Sequence, residues 1–270
     1  MPCGQCIGCR IRRTRDWAVR VTHEAQSHRA NCFLTLTYAP EHLPEKGSLE
    51  PEHLVRFIKR LRKRLDRHQT TIRYYAVGEY GEKLERPHYH LLIFGWDFPD
   101  RYFWKYSKSG EPLYRSPELE ALWTKGHSTI GETTWESAAY AARYTLKKIN
   151  GERAVNHYKD KLPEFIRLSL KPGIGHNWIE KYWRDVYAND QVVIRKGNEY
   201  KTYSPPRYYD KWLQENQPMV WEKVWRKRKM EVRNSEEKTS LDLKLEERHK
   251  NHQIKRLKRE LHDPENLHNS

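Results

Sequence analysis

The stretch Arg86-Pro87-His88-Tyr89-His90-Leu91-Leu92-Ile93-Phe94-Gly95 decides the fold. Its apolar run, which starts at Tyr89 and ends before the glycine, predicts a buried strand. Side chains alternate along a strand, so His88 and His90 are expected on one face and Tyr89 on the other. Two neighbouring imidazoles on a rigid strand form half of a site for a divalent metal. Two histidines that merely pack a sheet surface would give the same pattern.

A carboxylate precedes this strand at a suitable distance. Residues 73–77 predict another strand, which ends at Gly78-Glu79, and the polar segment 82–86 predicts a turn. The histidine strand should therefore return antiparallel and bring Glu79 beside its two imidazoles. Two histidines and one carboxylate suit Mg²⁺ or Mn²⁺ with positions left open for a phosphate oxygen. Glu82 and Glu85, both in the turn, are competing candidates for the carboxylate.

The rest of the pattern predicts an α+β fold, with helices flanking a central antiparallel sheet that carries the histidine strand. Residues 31–38 are β-branched and aromatic, which favours a strand. Residues 51–67 carry apolar side chains at helical spacing, which predicts an amphipathic helix with a basic outer side. Further helices are predicted at 17–25, 117–123, 135–148 and 178–186, further strands at 127–131 and within 191–203, a short helix or strand at 162–170, and an aromatic, irregular loop at 96–117.

The composition points to a polyanionic partner. The 270 residues include 51 Lys and Arg against 36 Asp and Glu, a formal net charge of +15, which suggests nucleic acid. The 10 Trp and 17 Tyr suit single strands, because bases stack on rings while basic side chains bind phosphates. No apolar stretch approaches the roughly 18 residues of a membrane span. The N-terminus lacks the apolar segment of a signal peptide, so we expect a reducing, intracellular location and no membrane partner.

The four cysteines all lie near the N-terminus. Cys3, Cys6 and Cys9 have the spacing C-x-x-C-x-x-C, at which thiolates can share a soft metal such as structural zinc. Cys32 supplies a fourth ligand if the N-terminal arm folds back, and otherwise is a small buried hydrophobic residue. Because every cysteine precedes residue 33, a single zinc-hydrolase site that combines cysteines and histidines is disfavoured.

Two tyrosines lie on the predicted helix 135–148. Tyr140 and Tyr144 are four residues apart, so both phenols are expected on one helical face. A tyrosine can attack a phosphodiester as a covalent nucleophile when cations favour its phenolate. Arg143 and Lys147 each follow a tyrosine by three residues, close enough on a helix to supply that charge. Two ordinary core tyrosines would also have this spacing.

Together these segments resemble the HUH endonucleases. Pro87-His88-Tyr89-His90 before an apolar strand is similar to the defining motif of that superfamily, and the spacing from Glu79 to His88 resembles the metal-binding carboxylate of small circular-DNA virus replication proteins. Tyr140 and Tyr144 resemble the two-tyrosine motif of microvirus rolling-circle initiators. Segments 3–6, 33–38 and 205–209 are similar to the replication initiators of gokushovirus-type microviruses.

The resemblance implies a metal-dependent tyrosine endonuclease and strand transferase that initiates rolling-circle DNA replication. One tyrosine would form a 5′-phosphotyrosine and leave a 3′-OH primer, and the second would cut the regenerated origin before the product is closed into a circle. The implied partners are single-stranded or nicked circular viral DNA and the host DNA polymerase and helicase, in the host cell cytoplasm. The implied site residues are Glu79, His88 and His90 for Mg²⁺ or Mn²⁺, and Tyr140, Tyr144 and the charge-stabilising Lys147 for catalysis.

Two other functions remain open from the sequence. A relaxase or transposase of the same superfamily would share the site and differ in its DNA substrate. A non-catalytic single-stranded DNA-binding protein would keep the fold without needing the tyrosines. For any of these we predict four segments, namely a Cys/Arg-rich arm and helix (1–30), an HUH endonuclease core (31–150), its C-terminal part (151–222) and a charged helical or disordered tail (223–270).

Overall fold

The computed structural model describes residues 6–81, 84–143, 152–234 and 239–255. The helices and strands in chain order are α1 (Ile7–Gln26), β1 (Asn31–Thr37), α2 (Pro51–Asp66), β2 (Arg73–Tyr80), β3 (Pro87–Phe94), β4 (Tyr102–Tyr106), β5 (Pro112–Arg115), α3 (Pro117–Leu122), β6 (Ser128–Gly131), α4 (Trp135–Ala142), α5 (Glu152–Tyr158), β7 (Phe165–Leu168), α6 (His176–Ala188), β8 (Val192–Lys196), β9 (Glu199–Tyr203), α7 (Arg207–Asn216), α8 (Pro218–Arg233) and α9 (Ser240–Lys255). Among these described helices, none is both long and apolar enough to cross a membrane.

The histidine strand β3 lies inside a seven-stranded sheet. The strand order is β4-β5-β6-β1-β3-β2-β7, and every neighbouring pair is antiparallel. All eight residues of β3 are buried, as expected for a strand with neighbours on both sides and helices on both faces. The predicted α+β class with a central antiparallel sheet is confirmed.

Each face of the sheet has its own hydrophobic core. The face packed by α2 will be called the α2 face, and its core joins alternate β1 and β3 residues to the apolar stripe of α2, which comprises Leu54, Phe57, Ile58, Leu61 and Leu65. The opposite face will be called the α1/α4 face, because Val21 of α1 and Ala138 and Ala141 of α4 pack there against Phe33, Leu92 and Phe94. Since side chains alternate, the two histidines of β3 point to the α1/α4 face.

Two segments differ from the sequence-based expectation. Helix α1 begins at Ile7, ten residues before the predicted start. The sequence pattern missed these first turns because they are rich in arginine and lack the apolar spacing of a buried helix. Residues 96–117, expected as an irregular loop, contain the antiparallel strands β4 and β5. These strands have only five and four residues, too short for a clear alternation of apolar and polar side chains.

The C-terminal helices pack around a third core. Residues of α6, β8, α7 and α8 form it together with Val19 of α1, and α8 contributes the buried Val224. Arg228 of α8 donates hydrogen bonds to Asp190 and Asp210, and these bonds raise its pKa despite partial burial. The first turns of the predicted tail 223–270 thus contact the rest of the chain. The predicted division into four segments stays a prediction.

His23 of α1 makes the stability of the fold depend on pH. Its ring is fully buried against Trp178, its Nδ1 lies 2.9 Å from the Tyr209 hydroxyl, and burial lowers its pKa to about 3. An unfolded histidine binds a proton near its ordinary pKa of about 6.5. Acid therefore favours the unfolded chain: the stability is complete above that pH and falls as the pH decreases below it.

We expect the free energy of unfolding to drop by about 2 kcal/mol between pH 7 and pH 5 through this one group. Urea unfolding monitored by tryptophan fluorescence across that range measures the drop. His23→Gln removes the titrating ring and should flatten the profile. An unchanged pH dependence in that variant would show that another group is responsible.

Candidate metal centre and tyrosine site

Strand pairing brings the three predicted ligands together. In the β2–β3 pair, Glu79 lies directly opposite His88 and Val77 lies opposite His90, so the carboxylate and both imidazoles share the α1/α4 face. Gly78 fixes the end of β2 close to β7, because a Cβ at this position would lie only 2.9 Å from the ring of Phe165. The register of two rigid strands thus positions the site.

The three side chains form a compact, buried cluster. Oε1 of Glu79 lies 3.2 Å from Nε2 of His88 and 3.3 Å from Nε2 of His90. Their exposed fractions are 4%, 3% and 0%, respectively. The ligand atoms all lie within 4.8 Å of one another, and in the part of the chain that the structure describes no other set of three His, Cys, Asp or Glu residues meets this spacing.

Hydrogen bonds orient both imidazoles toward the centre of the cluster. Nδ1 of His88 lies 3.1 Å from the Arg86 carbonyl oxygen, which can only accept, so Nδ1 carries the proton and Nε2 keeps its lone pair. Nδ1 of His90 lies 3.0 Å from Oγ1 of Thr35 on β1. Such bonds to the distal nitrogen are typical of metal-binding histidines.

The donor set fits a divalent cation. One carboxylate oxygen and two imidazole nitrogens converge, and a buried carboxylate needs a compensating positive charge. Of the competing carboxylates, Glu85 pairs instead with Lys161 at 2.9 Å, and Glu82 lies outside the described residues.

Helix α4 brings Tyr140 to the same cluster. A capping box between Thr134 and Ser137 starts the helix directly after β6. The Tyr140 hydroxyl lies 3.4 Å from Oε1 of Glu79 and 3.4 Å from Nε2 of His90, and the side chain is 8% exposed. Tyr140 is therefore in direct reach of the candidate ligands. Tyr144 and Lys147 lie outside the described residues.

Arg143, at the C-cap of α4, places a cation close to this tyrosine. Burial lowers the pKa of its guanidinium, and the electrostatic interaction with Tyr140 acts in the opposite direction. An arginine keeps its charge even with a lowered pKa. The site thus has a fixed positive charge near the phenol.

The structure separates Cys32 from the other described cysteines. Cys32 is fully buried in the core of the α2 face, and burial raises the pKa of its thiol. Cys6 and Cys9 lie at the start of α1, which covers the opposite face. This placement fits the small buried hydrophobic residue of the second alternative, and a structural zinc at the cysteines stays a prediction. Cys3 lies outside the described residues.

Sequence reasoning missed Thr35 as a partner of His90. Thr35 stands directly opposite His90 in the β1–β3 pair. The polar Thr35 and Thr37 alternate with the apolar Leu34 and Leu36 of β1, which was a signal that one face of this strand lines a polar site.

The fold and this site define an α+β protein with a paired-histidine strand beside a tyrosine-bearing helix. Residues 31–149 match the family described as replication-associated protein ORF2/G2P. The chain is 38% identical over 225 residues to replication-associated protein VP4 of Bdellovibrio phage phiMH2K, a match that covers 82% of this chain and 69% of that protein. It is 37% identical over 219 residues to replication-associated protein ORF2 of Spiroplasma virus 4, covering 78% and 67%, respectively.

Replication-associated protein ORF4 of Chlamydia phage 1 is 33% identical over 226 residues, or 77% of this chain and 52% of that protein. The chain belongs to this family of phage replication-associated proteins. The resemblance stated from the sequence is thus confirmed at the level of the family. No solved structure matches the chain.

Proposed function

We propose that this protein initiates rolling-circle replication of a circular viral genome by nicking single-stranded DNA through a tyrosine nucleophile. The observation that carries the proposal is the Tyr140 hydroxyl, 3.4 Å from two candidate metal ligands that lie on an adjacent rigid strand pair. A nucleophile held beside a divalent centre is the arrangement that phosphodiester transfer requires. The net charge of +15 supports a polyanionic substrate.

Glu79, His88 and His90 would hold Mg²⁺ or Mn²⁺, which when bound polarises the scissile phosphate and neutralises developing negative charge. Thr35 and the Arg86 carbonyl keep the imidazoles in the ligating orientation.

The tyrosine oxygen attacks the phosphorus and displaces the 3′ oxygen of the preceding nucleotide. One O–P bond forms as another breaks, so the phosphodiester energy is kept in a 5′-phosphotyrosine and no nucleotide cofactor is consumed. The phenolic proton is transferred to a nearby proton acceptor, and the departing oxygen takes up a proton to become a 3′-OH. Arg143 favours the phenolate through its charge.

The second tyrosine would allow a complete replication cycle. Tyr144 follows Tyr140 by four residues, and Lys147 follows Tyr144 by three. While the first tyrosine still holds the DNA 5′ end, the second cuts the regenerated origin, and the freed 3′-OH then attacks the first linkage to close a circle. A host DNA polymerase and helicase would extend and unwind between the two cuts, in the host cell cytoplasm.

Cleavage of end-labelled single-stranded DNA from the cognate genome, in Mn²⁺ or EDTA, tests this proposal. We expect a DNA–protein adduct with Mn²⁺ and none with EDTA. Tyr140→Phe together with Tyr144→Phe should reduce cleavage by about 10⁴-fold or more, because both nucleophiles are lost. Each single variant measures the contribution of its own tyrosine to the first nick.

Tyr187→Phe is a matched control, since Tyr187 is a buried tyrosine that bonds to Asp210 and lies in the C-terminal core. Its cleavage should equal that of the wild type. Cleavage without an adduct would indicate attack by water and a hydrolase. Tight binding with no cleavage of the correct origin would indicate a non-catalytic DNA-binding protein.

A further inference from the structure

The β4–β5 hairpin forms one border of the sheet and carries an unusual group of aromatic side chains. Strand β4 is the last in the sheet order, so its outer edge pairs with no strand of the described chain. Tyr102, Phe103 and Tyr106 of β4 are 50%, 51% and 65% exposed. They make up three of the five exposed aromatic side chains among the described residues. Such a concentration of exposed apolar area indicates a binding surface.

The rings are arranged for contact with other planar groups. The centroids of Phe103 and Tyr106 lie 5.0 Å apart, and Phe103 also meets Tyr114 of β5 edge to face at 6.3 Å. Trp104 lies at the irregular position of the strand pair, between Phe103 and Lys105. These mutual contacts limit ring motion, which lowers the entropy lost when a ligand stacks on them.

Basic side chains accompany the rings. Nζ of Lys105 lies 4.0 Å above the centroid of the Trp104 ring, and no carboxylate in the described chain lies within ion-pair distance of it. Arg101 stacks over Tyr114 and Arg115 lies 5.5 Å from Trp104, while both arginines also pair with carboxylates. Exposed rings beside a cation form the combination that binds unpaired nucleic acid.

A second copy of this chain is a poorer occupant. The register shift at Phe103 and Lys105 interrupts the regular edge, and a lysine on an edge strand opposes pairing with another strand. The formal charge of +15 also makes two copies repel one another, whereas it attracts a polyanion.

We propose that the β4–β5 hairpin is a stacking platform for unpaired DNA bases that flank the scissile phosphate. Four strand spacings separate β4 from β3, so the platform lies roughly 19 Å from the histidine strand. Phe103 lies opposite Tyr114, whose ring packs on the core of the α2 face, so the platform rings lie on the face opposite the histidines. DNA held at the candidate metal centre therefore reaches them around the open β4 edge, with nucleotides several positions away from the cut. This inference rests on the proposed function, because it names a second contact for the same substrate.

The test is binding of a fluorescein-labelled single-stranded oligonucleotide that contains the cognate origin, measured by anisotropy in EDTA so that no cleavage occurs. Phe103→Ala with Tyr106→Ala should weaken binding roughly 10- to 100-fold, because two stacking rings are lost. Phe103→Tyr with Tyr106→Phe should restore it. Tyr200→Ala is the matched control, since Tyr200 is 70% exposed on the other hairpin, β8–β9.

Two substrate series separate stacking from general attraction. Binding of a duplex with the same sequence should be equal in the wild type and the double variant, because paired bases cannot stack on the rings. Shortening the oligonucleotide from each end in turn should remove the difference between the two proteins once the strand no longer reaches the hairpin.

The inference would be overturned if the Phe103→Ala, Tyr106→Ala double variant bound single-stranded DNA as tightly as the Tyr200→Ala control does. A wild-type dimer, detected by light scattering, that the double variant converts to a monomer would also overturn it, because the rings would then form a subunit contact. Cleavage by the same preparations separates the two claims. If the wild type cleaves DNA and the double variant binds single strands as tightly as the wild type does, only the platform is refuted. If the double variant binds more weakly but the wild type does not cleave DNA, only the nicking function is refuted.

Discussion

His90→Ala is expected to reduce metal-dependent cleavage by about 10³-fold, because a lost ligand removes several kcal/mol of transition-state stabilisation. His90 is the least exposed of the three candidate ligands, and its Nε2 lies near both Glu79 and Tyr140. Calorimetric titration with Mn²⁺ measures the loss of the metal ligand without relying on activity. The affinity of His90→Ala for Mn²⁺ should be far below that of the wild type.

Two further variants keep this prediction testable if the cavity left by His90→Ala harms folding. Thr35→Val preserves the side-chain shape and removes only the contact with Nδ1 of His90, so we expect Mn²⁺ affinity to fall by about 10- to 100-fold. His53→Ala is the matched control, because His53 belongs to α2 and its Nδ1 contacts Tyr38 instead. A folded His90→Ala protein with unchanged Mn²⁺ affinity would contradict the metal centre.

Glu24→Gln is expected to lower the free energy of unfolding by about 3 kcal/mol, because it leaves a charged arginine without its buried partner. Glu24 of α1 accepts hydrogen bonds from Arg73 of β2, from the backbone N–H of Gly175 before α6, and from His28. One carboxylate thus ties the first helix to the sheet and to the C-terminal part of the chain. Urea unfolding at pH 7 measures the change.

The charge state of Glu24 gives the direction of its pH effect. Burial alone would raise its pKa, but the bonds from His28, Gly175 and Arg73 outweigh it, so the pKa is lowered. The contribution of Glu24 is complete above the ordinary pKa of a glutamate, about 4.3, and is lost as the pH falls through the lowered value. Glu222→Gln, which breaks an exposed pair with Arg226, should change stability by less than about 0.5 kcal/mol. Equal stability losses in the two variants would contradict the anchoring role of Glu24.

Much of the site could be predicted because its information is local. The alternation within Pro87–Phe94 placed both histidines on one face, and a single turn fixed the partner strand. The choice of Glu79 over Glu82 and Glu85 depended on how far β2 extends, and β2 continues to Tyr80. The sequence gives the order of residues but not the length of a strand pair, so this choice was open until the register was known.

The errors came from features that depend on distant parts of the chain. Whether Cys6 and Cys9 come near Cys32 depends on where α1 packs relative to the sheet, and no local pattern contains that information. Strands β4 and β5 are held by pairing with each other and with β6, although their own sequences contain few alternating residues. Thr35 became part of the site only through the pairing of β1 with β3, 55 positions later in the chain.

The most direct test of the central claim is to identify the residue that becomes linked to DNA. The protein is incubated with a single-stranded origin oligonucleotide and Mn²⁺, digested with nuclease and protease, and analysed by tandem mass spectrometry. We expect a nucleotide phosphate on Tyr140 or Tyr144. A phosphate linked to another residue, or cleaved DNA with no modified peptide, would contradict the tyrosine mechanism.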